Sequence, residues 1–444
     1  MTTDTASLQT FRESLSRLGD NVSRQVYTDE ECVRRAKGAF AKKLDRRMAI
    51  DLETCIHCGM CAEACHFYEA TEDERFTPVH KIEPLRRFYR REMSPFRWFF
   101  RPFTRDLTAD QLRQWQPLVY ESCTACGRCD MMCPMGISIS PMIKVMRAGL
   151  ASAGLVPDEL QALDAEQHDR GTLFGIGPAE LRQKVSELGL RGIEIPLDKA
   201  GADVVVLTTA VEVLLFSDTL TATAKIMHRL GANWTLLSDA FEASNVGLLS
   251  GNGRAQKKAT ANIVERAKAC GAKTVIVPET GHAYQALRWD GANEVGEALP
   301  FEVLALSEYL DREVAAGHLK IKASSNGASV TYHDPCRLGR QGGVFEEPRN
   351  LLKALGLTIR ETDSNRRENY CCGGGCGEYV IQKSAPLRQK AFDIKKREFD
   401  KTEADAVVTS CANCRVNLMI GAENAGWSKP IESLAERVAA NLVD

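Results

Sequence analysis

Two adjacent cysteines, Cys371 and Cys372, followed by Gly373, Gly374 and Gly375, constrain this chain more than any other stretch. Successive side chains on an extended backbone point to opposite sides. A tetrahedral metal site is therefore rarely built from such neighbours, whereas a larger inorganic core can take both. The glycines permit positive φ and let a loop wrap that core with its amides turned inward. The pair has companions on both sides. Cys336, in His333-Asp334-Pro335-Cys336, is separated from Cys371 by 34 residues, and 38 residues separate Cys372 from Cys411-Ala412-Asn413-Cys414.

Two further motifs lie nearer the N-terminus. Cys55-x-x-Cys58-x-x-Cys61-x-x-x-Cys65 and Cys123-x-x-Cys126-x-x-Cys129-x-x-x-Cys133 both show the spacing of two-cluster bacterial ferredoxins, in which the fourth cysteine serves the other cluster. This predicts two [4Fe-4S] cubane clusters, one on Cys55, Cys58, Cys61 and Cys133, the second on Cys123, Cys126, Cys129 and Cys65. Zinc usually draws two cysteines from a short loop, so paired quartets favour iron–sulfur. His66 stands where the ferredoxin pattern has proline. Cys32 and Cys270 fit no ligand slot and read as packed thiols.

Composition narrows the setting. The chain has 444 residues, room for two or three domains, and 16 cysteines. Met1 to Asp20 lacks the apolar core of an export signal, so Cys-x-x-Cys clusters point to metal rather than disulfides, and to the cytoplasm. No run approaches the roughly 18 apolar residues needed to span a bilayer. A net charge of −2 gives no reason to expect nucleic acid. Between the quartets, Lys81, Arg86, Arg87, Arg90, Arg91, Arg97, Arg101 and Arg105 interleave with Phe88, Tyr89, Phe96, Trp98, Phe99, Phe100 and Phe103. Such a segment either faces an anionic membrane or membrane subunit, or packs its rings on the cluster domain; the sequence leaves both open.

The periodicity changes after residue 200. Val204–Leu207, Trp234–Leu237, Thr274–Val277, Ser329–Tyr332 and Ala406–Thr409 are short apolar runs of the buried parallel-strand type. Helical patterns over Leu214–Leu230, Ala259–Cys270 and Asn350–Leu355 separate them. The runs form two copies of one α/β unit of roughly ninety residues. Positions of Cys336, Cys371-Cys372 and Cys411 in the second copy are taken in the first by Thr208-Thr209, Asn245-Val246 and Pro278-Glu279. The expected organisation is an N-terminal helical arm over 1–48, with Leu8, Phe11, Leu15 and Leu18 on one face, and a two-cluster domain over 49–150. A connector over 151–200 leads to a silent repeat over 201–320 and a cysteine-bearing repeat over 321–444. In fold class this is a multidomain α+β and α/β chain, a helical ferredoxin-like domain followed by a duplicated α/β domain with parallel strands.

The order Cys, Cys-Cys-Gly, Cys-x-x-Cys resembles the CCG domain of heterodisulfide reductase-like iron–sulfur proteins. Two quartets followed by a silent and then a complete unit look like the catalytic subunit of membrane-linked heterodisulfide reductases. They look most like the related subunit of the membrane complex associated with dissimilatory sulfite reductase, and more distantly like the third subunit of anaerobic glycerol-3-phosphate dehydrogenase. Pro278-Glu-Thr-Gly-His-Ala-Tyr284 is similar to a family segment with cysteine at position 280. The resemblance implies that Cys336, Cys371, Cys372, Cys411 and Cys414 hold a non-cubane [4Fe-4S] cluster that interconverts a disulfide or trisulfide with thiols. It also implies a cytochrome b or quinone-reactive membrane subunit, and a sulfur-carrier protein or small disulfide as substrate. Two departures are visible: Arg337 where the family often has histidine, and Cys376 inside a glycine run. Arg337 suits an acidic substrate group or a protein carboxylate; Cys376 is a silent substitution, a reactive thiol or a sixth ligand. His333 and His282 are candidate proton donors. Two alternatives stand beside this reading, an electron conduit from a flavin subunit to quinone and a structural zinc in the late cysteine site.

Overall fold

The computed structural model describes residues 5–20, 22, 26–323 and 327–443. Its first part is helical. Helices Asp29–Lys43, Pro78–Glu92, Ala109–Tyr120 and Ile139–Ser152 surround the loops of the two quartets. Their first turns are satisfied by side chains: Thr28 accepts from the amide of Glu31, Thr77 from that of His80, and Thr108 and Gln111 cap each other reciprocally. The fourth helix is capped from a distance by Asp130, whose carboxylate accepts from the amides of Ile139 and Ser140. That cap ties the helix to the loop carrying Cys129.

The N-terminal helix Thr5–Ser16 is no free surface arm. Leu8, Phe11 and Leu15 are buried, and Arg12 pairs with Glu423 at 2.6 Å. The apolar stripe is used within the chain, because burying three large side chains outweighs leaving them for a partner.

The C-terminal half contains two four-stranded parallel sheets of identical order. In the first, β1 (Val204–Val206), β2 (Trp234–Thr235), β3 (Thr274–Val277) and β4 (Glu302–Ala305) run β2-β1-β3-β4. In the second, β5 (Ser329–His333), β6 (Thr358–Ile359), β7 (Ala406–Thr409) and β8 (Ile431–Ser433) run β6-β5-β7-β8. The duplication read from apolar runs is thus present as topology, with equivalent strands starting at Val204 and Ser329, a wider offset than ninety residues. β6 and β8 carry too few apolar residues to stand out in sequence, whereas β4 is a short apolar run not among the expected strands. The helix expected over Leu214–Leu230 is split at Phe216 into Ala210–Leu215 and Ser217–Arg229. The 151–200 segment holds two helices, Asp158–Arg170 and Pro178–Gly189.

The direction in which the chain winds across each sheet reverses between its two central strands, so the loops leaving β5 and β7 diverge and open a crevice at their carboxyl ends. Cys336 follows β5 and Cys411 follows β7. Topology alone therefore brings together two cysteines far apart in sequence.

Helices 29–43 and 139–152 touch where Gly149 meets Phe40, and a Cβ at 149 would lie 2.0 Å from the Phe40 ring. We predict that Gly149→Val lowers the stability of this domain by about 2 kcal/mol or more, the overpacking range, read as an earlier thermal unfolding transition.

Candidate metal centres

None of the described cysteines is disulfide-bonded. The first quartet lies at the surface. Cys58 is exposed, and Cys61 is flanked by the thiols of Cys55, Cys133 and Cys58, with burial pushing it up to about 11. The second surrounds a small pocket: Cys65, Cys123, Cys126 and Cys129 line it together with His66, Lys81 and Ser122. Burial raises Cys123 to about 12 and pushes Cys129 well up, with Cys126, Cys123 and Cys65 facing it. In space Cys133 lies beside the first loop and Cys65 beside the second. Four thiols around one pocket, with no carboxylate among the lining residues, form a donor set of the kind that iron–sulfur cubanes take.

Cys336, Cys371, Cys372, Cys411 and Cys414 form one buried cluster with Phe392, Phe399, Val407 and Leu418. Their thiols form a continuous chain: Cys411 to Cys414, Cys414 to Cys372, Cys372 to Cys371, and Cys371 to Cys336. The adjacent pair reaches one site because the loop is not extended there. Gly373 has φ +89°, and a Cβ on it would lie 2.7 Å from Ala391, so only glycine lets the loop turn against helix Ala385–Lys401. Asn417 holds the loop from the other side, donating to the carbonyl of Cys372 at 2.5 Å. The turn carrying Cys336 is framed by buried Arg349, which grips both oxygens of Asp334 at 2.8 and 2.9 Å.

The two centres touch. Cys126, from the second quartet, packs against the buried cluster that holds Cys371, and its thiol faces that of Cys371. Three side chains clamp this junction. Arg340 donates to the carbonyls of Cys126 (2.9 Å) and Arg367 (2.6 Å), and Gln341 to that of Ala125 (3.0 Å). Arg128 reaches Glu368 and Ala64 while lying 3.7 Å over the Tyr370 ring. Such clamps carry no motif, and nothing in the sequence separates Arg128 from other arginines.

A 4Fe-4S dicluster domain matches residues 54–138, and a cysteine-rich CCG domain matches residues 330–419. In Methanosarcina mazei, the protein HdrD of the dihydromethanophenazine:CoB-CoM heterodisulfide reductase is 27% identical over 413 residues, covering 90% of this chain and 96% of that protein. The chain is a homologue of HdrD. An Hdr-like menaquinol oxidoreductase iron-sulfur subunit 2 of Archaeoglobus fulgidus is 24% identical over 448 residues, covering 87% of this chain and 79% of that protein. The glycolate oxidase iron-sulfur subunit of Escherichia coli is 22% identical over 431 residues, covering 87% and 95%.

Within this homologue several candidate residues take roles other than those expected. His282 and His333 do adjoin the late cysteines. His282 Nδ1 accepts from Asn413 at 3.0 Å, and His333 shares a site with Cys372 and Cys414, their ligand atoms all within 4.8 Å. Both rings are buried, and burial pulls His282 down to about 3 and lowers His333. Lys81 and Arg86 do not join the outward basic face either. Arg86 donates to the carbonyl of Cys55 at 3.1 Å. Lys81 is 2% exposed, with its ammonium bonded to the carbonyl of Ser122 and 3.7 Å from the sulfur of Cys65. Lys81 shares the helical stripe of Leu85, Phe88 and Tyr89, all buried, and this spacing is the signal in the sequence that it points inward.

Cys376 does not join the late cysteines. Its sulfur accepts from Arg147 Nη1 at 3.1 Å and Arg337 Nη2 at 3.5 Å. Arg337 binds Cys376 and the side-chain oxygen of Gln285, and no protein carboxylate among the described residues pairs with it.

A buried ammonium beside an iron–sulfur centre stabilises the reduced, more negative state. We predict that Lys81→Met retains cluster iron but lowers the second cluster's midpoint potential by roughly tens of millivolts, measured by redox titration followed with electron paramagnetic resonance.

Proposed function

We propose that this chain is the iron–sulfur catalytic subunit of a heterodisulfide reductase-like complex. It carries electrons between two [4Fe-4S] cubanes and a non-cubane [4Fe-4S] centre, where a disulfide or trisulfide is interconverted with thiols. The observation that carries the reading is the single buried cluster formed by Cys336, Cys371, Cys372, Cys411 and Cys414, in contact through Cys371 with Cys126 of the second quartet. Five thiols are one more than tetrahedral zinc uses, and their contact with a cubane loop gives electrons a short path. Cys336, Cys371, Cys372, Cys411 and Cys414 would hold such a cluster, which when bound would supply a metal face for outside sulfur and tolerate one-electron steps. The protein's part is positional: Arg349 and Asp334 fix the turn of Cys336, Gly373 and Asn417 fix the adjacent pair, and Arg340 holds the two centres together.

Two other readings have specific support. His333, Cys372 and Cys414 converge closely enough to begin a zinc site. An electron conduit is favoured by the EtfAB:quinone oxidoreductase of Syntrophomonas wolfei, 26% identical over 405 residues, covering 85% of this chain and 56% of that protein. Iron and acid-labile sulfide analysis separates the metals: about twelve irons supports the non-cubane centre, about eight with one zinc the alternative. For the chemistry, we predict that adding a small thiol to the oxidised holoprotein produces a new paramagnetic signal. Cys372→Ala abolishes that signal and spares both cubanes, while Cys129→Ala disturbs the second cubane instead. A fully loaded protein with no thiol-dependent signal fits the conduit.

The complex is proposed to work from the cytoplasm at a membrane, through a cytochrome b or quinone-reactive subunit. No helix among the described residues is long and apolar enough to cross a membrane. The basic aromatic insertion divides in support of this: Phe88 and Tyr89 are buried, whereas Phe96, Trp98, Phe99 and Phe103 are 61, 73, 53 and 80% exposed. Arg97, Arg101 and Arg105 stand exposed among them. Rings and guanidinium groups side by side suit the interfacial layer of an anionic bilayer. We predict that Trp98→Ser with Phe103→Ser weakens co-sedimentation with anionic lipid vesicles while leaving cluster spectra unchanged; equal sedimentation would remove the insertion from the membrane face.

A further inference from the structure

The proposed centre leaves Cys376 unused, yet its surroundings are built. Arg147 is 1% exposed and Arg337 5%, and among the described residues neither guanidinium has a carboxylate partner within ion-pair distance. Two buried cations without a carboxylate need an anion, and the sulfur of Cys376 is where both donate. Burial raises the thiol, but Arg147, Arg337 and Lys144 outweigh burial and hold it below the ordinary thiol range.

Three further observations concern what the thiolate is for. Cys376 has φ 55°, the left-handed region that a residue with a Cβ enters at a cost; the loop accepts that cost to aim this sulfur. Buried polar atoms around it are left without partners: Nε of Arg337, Nε2 of His282 and both carboxyl oxygens of Glu378. With Asn413 donating to Nδ1, the His282 Nε2 carries the proton, so Arg337, bonded to the sulfur, and His282, which faces Arg337, each keep one free donor. Finally, one cation facing the buried sulfur reaches the surface. Lys144, whose side chain is 32% exposed and 3.9 Å from Asp290, faces both Cys376 and Arg337. The π-helical turn Gln285–Trp289 carries Gln285 inward to Arg337 and leaves Trp289 half exposed, a turn type that recurs at functional sites.

We infer that Cys376 is the protein's own nucleophilic thiolate, which captures one half of a disulfide substrate bearing an anionic or hydrogen-bond-accepting group. This rests on the disulfide reading above and extends it to a second sulfur site. The thiolate attacks one sulfur of R–S–S–R′; the Cys376–S–S–R bond forms, the S–S bond of the substrate breaks, and R′S⁻ leaves with a proton from water. Two electrons from a one-electron donor of the viologen class then split the mixed disulfide, returning the Cys376 thiolate and RS⁻, which takes a second proton. Arg147 and Arg337 stabilise the thiolate before attack and after reduction. The free donors of Arg337 and His282 hold R.

The test uses the intact, cluster-loaded protein with oxidised glutathione, an anionic small disulfide. Peptide mapping by mass spectrometry without reduction is expected to find a glutathionyl adduct on Cys376, lost in Cys376→Ser, slowed in Arg337→Gln, and released as glutathione by reduced methyl viologen. Cys376→Ser keeps an acceptor for both arginines, so its cubane signals are expected to match the wild type, which separates loss of the nucleophile from loss of the fold. An adduct confined to Cys32 or Cys270, or one of equal yield in Cys376→Ser, would overturn the inference. Its failure and that of the proposed centre are distinguishable: a thiol-dependent paramagnetic signal without the adduct removes only Cys376, and the adduct without the signal removes only the centre.

Discussion

Burying sulfur that must carry charge is the constraint from which the rest of this structure follows. A thiolate surrounded by Phe392, Phe399 and Leu418 is unfavourable unless cations, amides or metal compensate it. The chain answers by bringing charge inward at unusual depth. Lys81 lies against Cys65, and Arg147 donates to the carbonyls of Val119, Leu249, Cys376 and Cys123, joining four segments at one guanidinium. These cations lie within packed helices rather than in a cleft. A domain arranged in this way has its stability and its redox sites in the same interactions.

The duplication gains its meaning from the same constraint. Both sheets have a crevice between their central strands, yet only the second is furnished with sulfur. In the first, buried carboxyls stand near the strand ends: Glu212, Glu242 and Glu279, pushed by burial up to about 8, 7 and 7. Their oxygens accept from backbone amides at helix starts, Glu242 from Ala210 and Glu279 from Ala435, so they act as caps. The silent unit also closes over the complete one. Glu279 accepts at its carbonyl from the amide of Ala412, the Gly281 amide meets the sulfur of Cys411, and His282 meets Asn413. One copy holds the late cysteines and the other packs against them.

Burial deepens along the series of thiols. Cys58 is exposed, with Ile56 and Met60 exposed beside it, the other cysteines of the two quartets are half-buried, and the late five are all buried. A surface-facing end suits exchange of electrons with a partner, and a dry end suits sulfur chemistry that must be kept from water. The same gradient explains the divided aromatic insertion, whose helix supports the cluster loops with one face while the segment after it presents rings to the outside.

Local spacing by itself determined a great deal. Cysteine intervals grouped the two quartets, because a cluster's ligands must come from a tight loop plus one distant residue. Short apolar runs marked the central strands, because strands covered on both faces have no polar side. The sequence also recorded that one repeat had lost its sulfur. What only the tertiary structure decided were matters of direction and encounter: that Lys81 and Arg86 turn inward, that the N-terminal helix is packed rather than free, that Cys126 meets Cys371, and that Cys376 faces two arginines instead of its neighbouring cysteines. A charged residue in a helix reads the same whether it meets water or a buried sulfur. Only the packing of segments hundreds of residues apart fixes which of these it meets.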